Sequence, residues 1–267
     1  MSALAQALRD GAVVTWRNLV GLRRVPDALL ALTVQPIMFV VLFALVFAGS
    51  LGGEAYREFL IAGIFAQTVA FNVFFTTIGM ANDLQKGIID RFRSLPMSRV
   101  AVVLGRTTAD LGVGVVTLVV MSLTGLVVGW RIRGSVLDAA AAFAILLLFS
   151  FAMSWIGVLV GLTARNVEVA QSAGLIWLFP FTFVSSAFVS VQGFPGWLQP
   201  VGEWNPVSAV ARASRQLFGN PTQLPGFAES QAWPAQNAVL YAVLASLAII
   251  AIFLPLAVAR YRRVARR

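Results

Sequence analysis

The sequence predicts an all-α integral membrane protein with six transmembrane helices. Three observations carry this. Of 267 residues, 59% are hydrophobic and only 12% are charged, about half the charge a water-soluble domain uses to cover its surface. Mean hydropathy is +0.84. The charges are also clustered, leaving six uncharged stretches: 28–53, 59–82, 111–130, 139–164, 169–202 and 230–259. A helix rising 1.5 Å per residue needs about 20 apolar residues to cross the hydrocarbon core. Membrane β-strands would instead alternate polar and apolar over roughly 10 residues. With no water to satisfy the backbone, each span must pair its own amides, so the spans are helical. The expected spans are 28–49, 59–81, 102–129, 139–162, 169–191 and 236–259, within a single domain covering 1–267.

Residues 1–26 precede the first span and hold no compact apolar core of a secretory signal. Leu4, Leu8, Ala12, Trp16 and Leu19 recur at helical spacing, with Arg9, Arg17 and Arg24 mostly off that stripe. This predicts an amphipathic helix on the membrane surface, ended near Pro26. Orientation follows from Arg and Lys. With the N-terminus inside, only Arg57, Arg131, Arg133, Arg212 and Arg215 fall outside, and the rest of the 20 basic residues fall inside. The positive-inside rule selects this arrangement and puts both termini in the cytoplasm.

Between spans two and three lies a charged segment, 82–97. Leu84, Ile88, Ile89, Phe92 and Leu95 stand at helical spacing, with Asp83, Lys86, Asp90, Arg91 and Arg93 between them, and Pro96 ends the pattern. A short amphipathic cytoplasmic helix is expected. Lying on lipid headgroups and docking into a soluble partner are both open to it.

In span three, Asp110 lies one helical turn beyond Arg106, a spacing that suits a mutually satisfied pair. Gln67, Thr68 and Asn72 in span two and Gln171 and Ser172 in span five are polar positions able to join helices or touch a substrate. Phe71, Phe74 and Phe75 offer an apolar lining. Gly157 and Gly161 form a small-xxx-small pair for close helix packing.

The outer segment 192–234 holds six prolines and three tryptophans: Pro195, Pro200, Pro206, Pro221, Pro225 and Pro234, with Trp197, Trp204 and Trp233. Gly193-Phe194-Pro195 should break the long uncharged run near Val191, and a short piece containing Trp197 should turn back at the interface. Asn205 and Pro206 read as cap and first residue of another short helix, stopped near Gly219.

The composition excludes much chemistry. There is no His and no Cys, which removes thiol nucleophiles, imidazole bases and nearly all zinc, haem and iron–sulfur sites. The one lysine, Lys86, follows Gln85, so no P-loop is present. Scarcity of intramembrane charge argues against ion coupling, the hallmark of a self-contained secondary transporter. A lipid-modifying enzyme would lack its usual acids and bases.

Two stretches carry a family resemblance. One runs through Gly87, Asp90, Arg91, Leu95, Pro96, Ser98 and Arg99, followed by Gly105, Arg106 and Asp110. The other holds Phe194, Pro195, Trp197 and Leu198, then Asn205, Pro206, Ser208 and Arg212. In these positions along a six-span chain they resemble ABC-type export permeases of the type-2 class, in the daunorubicin-resistance branch. Many members carry Glu just before the docking-helix Gly; Asp83, Gln85 and Lys86 stand there instead. The resemblance implies a non-catalytic transmembrane subunit paired with an identical or paralogous permease. It implies two separate ATP-binding subunits that hold ATP and Mg and dock through Asp83, Lys86, Ile89, Arg91, Phe92, Arg93, Leu95 and Pro96. Gln67, Phe71, Asn72, Phe75 and Gln171 would line the path of an amphipathic or lipophilic cargo. Phe194, Pro195, Trp197, Asn205 and Pro206 would belong to the outer gate, in a bacterial-type plasma membrane.

Overall fold

The computed structural model describes residues 11–17, 20, 26–47, 53–88 and 99–264, all helix and connections, with no strand among them. The helices are α1 (11–17), α2 (Pro26–Leu42, continued by a π-helical turn Phe43–Phe47), α3 (Gly53–Gln85), α4 (Arg99–Val127), α5 (Val136–Gly161), α6 (Val167–Phe183), α7 (Gln199–Glu203), α8 (Pro206–Phe218), α9 (Trp233–Gln236) and α10 (Ala238–Val264).

Four of these are long and apolar enough to cross a membrane: Gly53–Gln85, Val102–Val127, Val136–Gly161 and Ala238–Val264. The first and fifth expected spans are represented by shorter apolar stretches, Val34–Val46 and Val167–Phe183. The expectation of six full-length spans is therefore met in four among the described residues.

The helix of the fifth expected span, α6, stops at Phe183 rather than near Val191, and its end is fixed from outside the helix. Asn205 Nδ2 donates to the carbonyls of Phe181 at 2.6 Å and Val184 at 2.7 Å. The backbone N–H of Ser186 donates to Ser208 Oγ at 2.8 Å. Carbonyls that a longer helix would satisfy internally are thus satisfied by Asn205.

The second span runs on to Gln85, so 82–85 form its last turn rather than the start of a separate helix. Gly87, at φ +63°, ends it in the left-handed conformation that glycine adopts most readily. Ile89, Arg91, Phe92, Arg93, Leu95 and Pro96 lie outside the described residues.

The α3 helix is the hub, packed against α5, α6, α8 and, more lightly, α4. Water does not drive helices together in lipid, so close backbone approach matters. Gly157 and Gly161 provide it as expected. A Cβ at Gly157 would sit 2.7 Å from the Val73 carbonyl oxygen, and one at Gly161 2.6 Å from that of Thr77. Nearer the start of α3, Phe65, Trp130 and Phe218 meet edge to face at centroid distances of 5.2 to 6.2 Å. Phe143 adds a ring 5.2 Å from Phe218.

Caps set the other boundaries. Ser135 and Asp138 form a reciprocal capping box at the start of α5. Asn166 accepts from the Val169 N–H at 2.8 Å and opens α6. Asn205 accepts from Val207 N–H at 2.8 Å and Pro206 occupies the first turn of α8. Gly219, at φ +69°, closes it. Of the stripe expected over 1–26, the described residues 11–17 hold Ala12 and Trp16, and both are exposed rather than packed on the bundle. Val14 is buried against Gly105 of α4, while Val13 and Trp16 face outward.

Candidate functional site

A cleft opens between α2, α3 and α4. Its walls are Gln35, Pro36 and Phe39 of α2, Gln67, Thr68, Phe71, Asn72 and Phe75 of α3, and Thr117 of α4. The enclosed space is about 50 Å³, room for a few water molecules, so the cleft is narrow in this conformation. Two of its polar groups stand out energetically. Asn72 is 7% exposed and Thr117 1% exposed. Among the described residues, Asn72 Nδ2 and Thr117 Oγ1 have no hydrogen-bond partner. An unpaired buried donor costs on the order of 1–3 kcal/mol, and a ligand oxygen in the cleft would remove that cost. Pro36, Phe39, Phe71 and Phe75 make most of the remaining surface apolar, and Gln35, Gln67 and Thr68 add polar groups, the usual make-up of a small-molecule site.

A polar cluster sits one to three turns along α3 toward its C-terminal end. Arg106 of α4 lies 3.4 Å from Asp110 and 3.8 Å from Asp83. Asp83 also meets Arg17 at 3.8 Å. Thr76 Oγ1 donates to Asp110 Oδ2 at 2.8 Å, and Arg106 reaches the Phe75 carbonyl at 3.5 Å. Gly79 makes room: a Cβ there would overlap the guanidinium of Arg106. The expected Arg106–Asp110 pair is present and is one part of this larger network. The network joins α1, the end of α3 that leads toward 89–98, and the residues beside Asn72 and Phe75.

Near the start of α3, α8 is locked down by a buried cation. Arg215 is fully buried, with its guanidinium 3.4 Å over the ring of Phe59. It donates to the carbonyls of Phe59 at 2.8 Å, Ser186 at 2.8 Å and Ala187 at 3.0 Å. Charge counting places Arg215 in the outer loop but gives no sign of burial. Arg133 binds Glu58 at 2.8 Å and Glu54 at 3.1 Å. Its hydrogen bonds to Glu58 and the charge of that carboxylate raise the pKa of the guanidinium.

The residues singled out by sequence divide clearly. Gln67, Phe71, Asn72 and Phe75 line the one cleft. Gln171 is exposed on α6 and is not among its walls. Gln35, Phe39 and Thr117 join the cleft without having been expected there. Asp83 lies in the polar cluster, and Lys86 is exposed at the end of α3. Asn205 is the buried cap already described, and Pro206 follows it in the first turn of α8. Phe194 lines a separate apolar pocket with Tyr56 and Phe227, and Pro195 and Trp197 are exposed.

The model of the ABC-2 type transporter family matches residues 11–218. The chain belongs to the ABC-2 type transporter family. Over 262 residues it is 31% identical to the daunorubicin resistance ABC transporter permease protein DrrB1 of Streptomyces coeruleorubidus, covering 97% of this chain and 88% of that one. It is 24% identical over 235 residues to the doxorubicin resistance permease protein DrrB of Mycobacterium tuberculosis, covering 84% and 80%. A putative transport permease, ycf38, of the alga Porphyra purpurea is 23% identical over 204 residues, covering 74% and 69%. This ABC-2 type chain is a permease, the non-catalytic membrane component of an ABC transporter. Membership implies an ATP-binding partner in the transporter.

Proposed function

We propose that the chain is the permease subunit of an exporter that moves amphipathic or lipophilic molecules, drugs of the daunorubicin and doxorubicin kind or lipids, out of the cytoplasm or inner leaflet. The observation that carries this reading is the α2–α3–α4 cleft. Unpaired Asn72 and Thr117 sit there among Phe39, Phe71 and Phe75. A lipophilic ring system with a carbonyl or hydroxyl oxygen satisfies both halves of that lining. The narrow volume fits one half of a site completed by a second permease subunit, identical or paralogous. Two ATPase subunits, which hold ATP and Mg, dock on the 82–97 segment. The polar cluster around Arg106 includes Asp83 of that segment and reaches the carbonyl of Phe75 in the cleft. The excess of Arg on one side supports an inner-membrane location with both termini cytoplasmic.

The test is uptake of daunorubicin into inside-out membrane vesicles containing the chain and its partner ATPase. ATP-dependent accumulation, reduced severalfold by Asn72→Ala or Phe75→Ala, is the expected result. Accumulation that ignores ATP and responds to an ion gradient would point to a self-contained transporter and sink the proposal.

A further inference from the structure

The start of α3 and the connection between α4 and α5 bring several charges to one end of the bundle. Arg133 holds Glu54 and Glu58, and Ser135 holds Asp138. Arg57 and Arg131 pair with no carboxylate among the described residues. The Arg57 guanidinium lies over Gly129, where an added Cβ would sit 3.2 Å from its Cζ. Its Nε is buried with no hydrogen-bond partner among the described residues. Arg131 folds back on α4, and its Nη1 donates to the carbonyls of Leu126 at 2.6 Å and Trp130 at 2.9 Å. Both cations therefore bear on the C-terminal end of α4.

Along α4 from that end, the outward surface is grooved. Val115, Val119 and Leu123 of α4, with Phe143 and Leu147 of α5, wall a trough of about 310 Å³. Its one hydroxyl, Ser122 Oγ, donates to the Leu118 carbonyl at 2.7 Å, so the trough offers apolar contact. Val119 and Leu123 are more than half exposed, and Leu126 and Val127 continue the exposed stripe to the carbonyl that Arg131 caps. Thr117 lines the α2–α3–α4 cleft, so the trough occupies a different face of α4.

We propose that trough and cations together bind one anionic phospholipid, its acyl chain in the trough and its phosphate on Arg57 and Arg131. A cation beside the last carbonyls of a helix is a common cap. A guanidinium carries five donors, however; here the bonds of Arg131 engage Nη1 alone, and Arg57 Nε engages nothing. Guanidinium groups take phosphate oxygens bidentately, and basic pockets between membrane helices bind lipid headgroups. An apolar stripe ending in two carboxylate-free cations matches a molecule whose acyl chain ends in a fixed negative charge. A second copy of this chain, with 20 basic residues against 11 acidic, matches those cations less well. The site lies apart from the cleft and does not depend on the export reading; its lipid is a bound companion, not cargo.

Native mass spectrometry of the full chain released from detergent micelles counts bound lipid. Phosphatidylglycerol is the anionic probe, and phosphatidylethanolamine with the same acyl chains is the zwitterionic one. The unsubstituted chain should hold one phosphatidylglycerol roughly tenfold more tightly than phosphatidylethanolamine. Arg57→Gln/Arg131→Gln should abolish that preference, while glutamine still donates to the Leu126 carbonyl and keeps the helix end capped. Arg57→Lys/Arg131→Lys should retain it. Leu123→Trp, which fills the trough, should weaken both lipids alike. Arg262→Gln/Arg263→Gln, in the last turn of α10, should change nothing. Equal affinity of the unsubstituted chain for the two lipids overturns the site. So does a preference that survives the Arg57/Arg131 glutamine pair, or one lost equally with the Arg262/Arg263 pair. A dimer that Leu123→Trp splits, with phosphatidylglycerol binding unchanged, overturns it too and assigns the trough to a second copy.

Discussion

The hydroxyl of Thr76 donates to Asp110 across 2.8 Å, tying α3 to α4 beside the cleft residue Phe75. The same carboxylate pairs with Arg106, and Arg106 with Asp83, so one cation serves two acids on two helices. Arg106→Gln leaves both acids without that cation. Removing one member of a largely buried pair typically costs about 3–5 kcal/mol; the partial exposure of this cluster places the loss toward or below the lower end. Asp110→Asn still accepts from Thr76 and should cost less. Thermal unfolding of the solubilised chain checks the order. A Tm for Arg106→Gln at or above that of Asp110→Asn would contradict it.

Arg215 has no carboxylate partner among the described residues; three carbonyls and the ring of Phe59 hold it. Arg215→Met should destabilise the outer end by about 3 kcal/mol, because it strands buried carbonyls. Arg215→Lys keeps the charge but loses the planar fork, and should fall between. Limited proteolysis within 219–232 reads this out. Cleavage unchanged in the methionine variant would show that Arg215 does not anchor α8.

Asn205 makes three bonds, as cap to Val207 and as donor to Phe181 and Val184. Asn205→Ser keeps a hydroxyl acceptor for the cap but is too short to reach the carbonyls of Phe181 and Val184, so it should lose roughly 1–3 kcal/mol. Asn205→Ala loses the cap as well, typically about 1 kcal/mol further. Chemical denaturation of the two variants side by side separates the contributions. Equal losses would mean that the cap contributes nothing.

Close packing predicts a graded response at glycine. Gly161→Ala puts a methyl 2.6 Å from the Thr77 carbonyl oxygen, whereas Gly196→Ala meets nothing within 4 Å. Overpacking of this kind costs typically 1–3 kcal/mol, so the first should lower Tm by several degrees and the second leave it unchanged. The same Tm for both would contradict the α3–α5 contact.

Much of this was legible in the sequence because bilayer physics is written in gaps between charges. Four apolar runs became long helices, and Gly157, Gly161, Asn205, Pro206 and Gly219 took the roles their chemistry implies. The end of α6 is not legible there, because it depends on Asn205, a side chain more than 20 residues away in sequence. The burial of Arg215 was invisible for the same reason, since its partners come from α3 and the turn after α6. Gln67, Phe71, Asn72 and Phe75 share a cleft because they recur on one face of α3, which spacing alone reveals. One signal went unread: Phe39–Phe43, Phe71–Phe75 and Phe179–Phe183 repeat the same one-turn spacing on three helices. Only the tertiary arrangement brings members of all three pairs into a single series of rings.

The central claim is that this permease takes its energy from a separate ATPase docked at 82–97. Isolating the solubilised chain from its native membrane and identifying co-purifying proteins by mass spectrometry tests it directly, with an Arg91→Glu/Phe92→Asp variant in parallel. An ATP-binding subunit recovered with the unsubstituted chain and lost with the folded variant is the predicted result. An ATPase retained in full by the variant, or absent from both under conditions that preserve other membrane complexes, would contradict it.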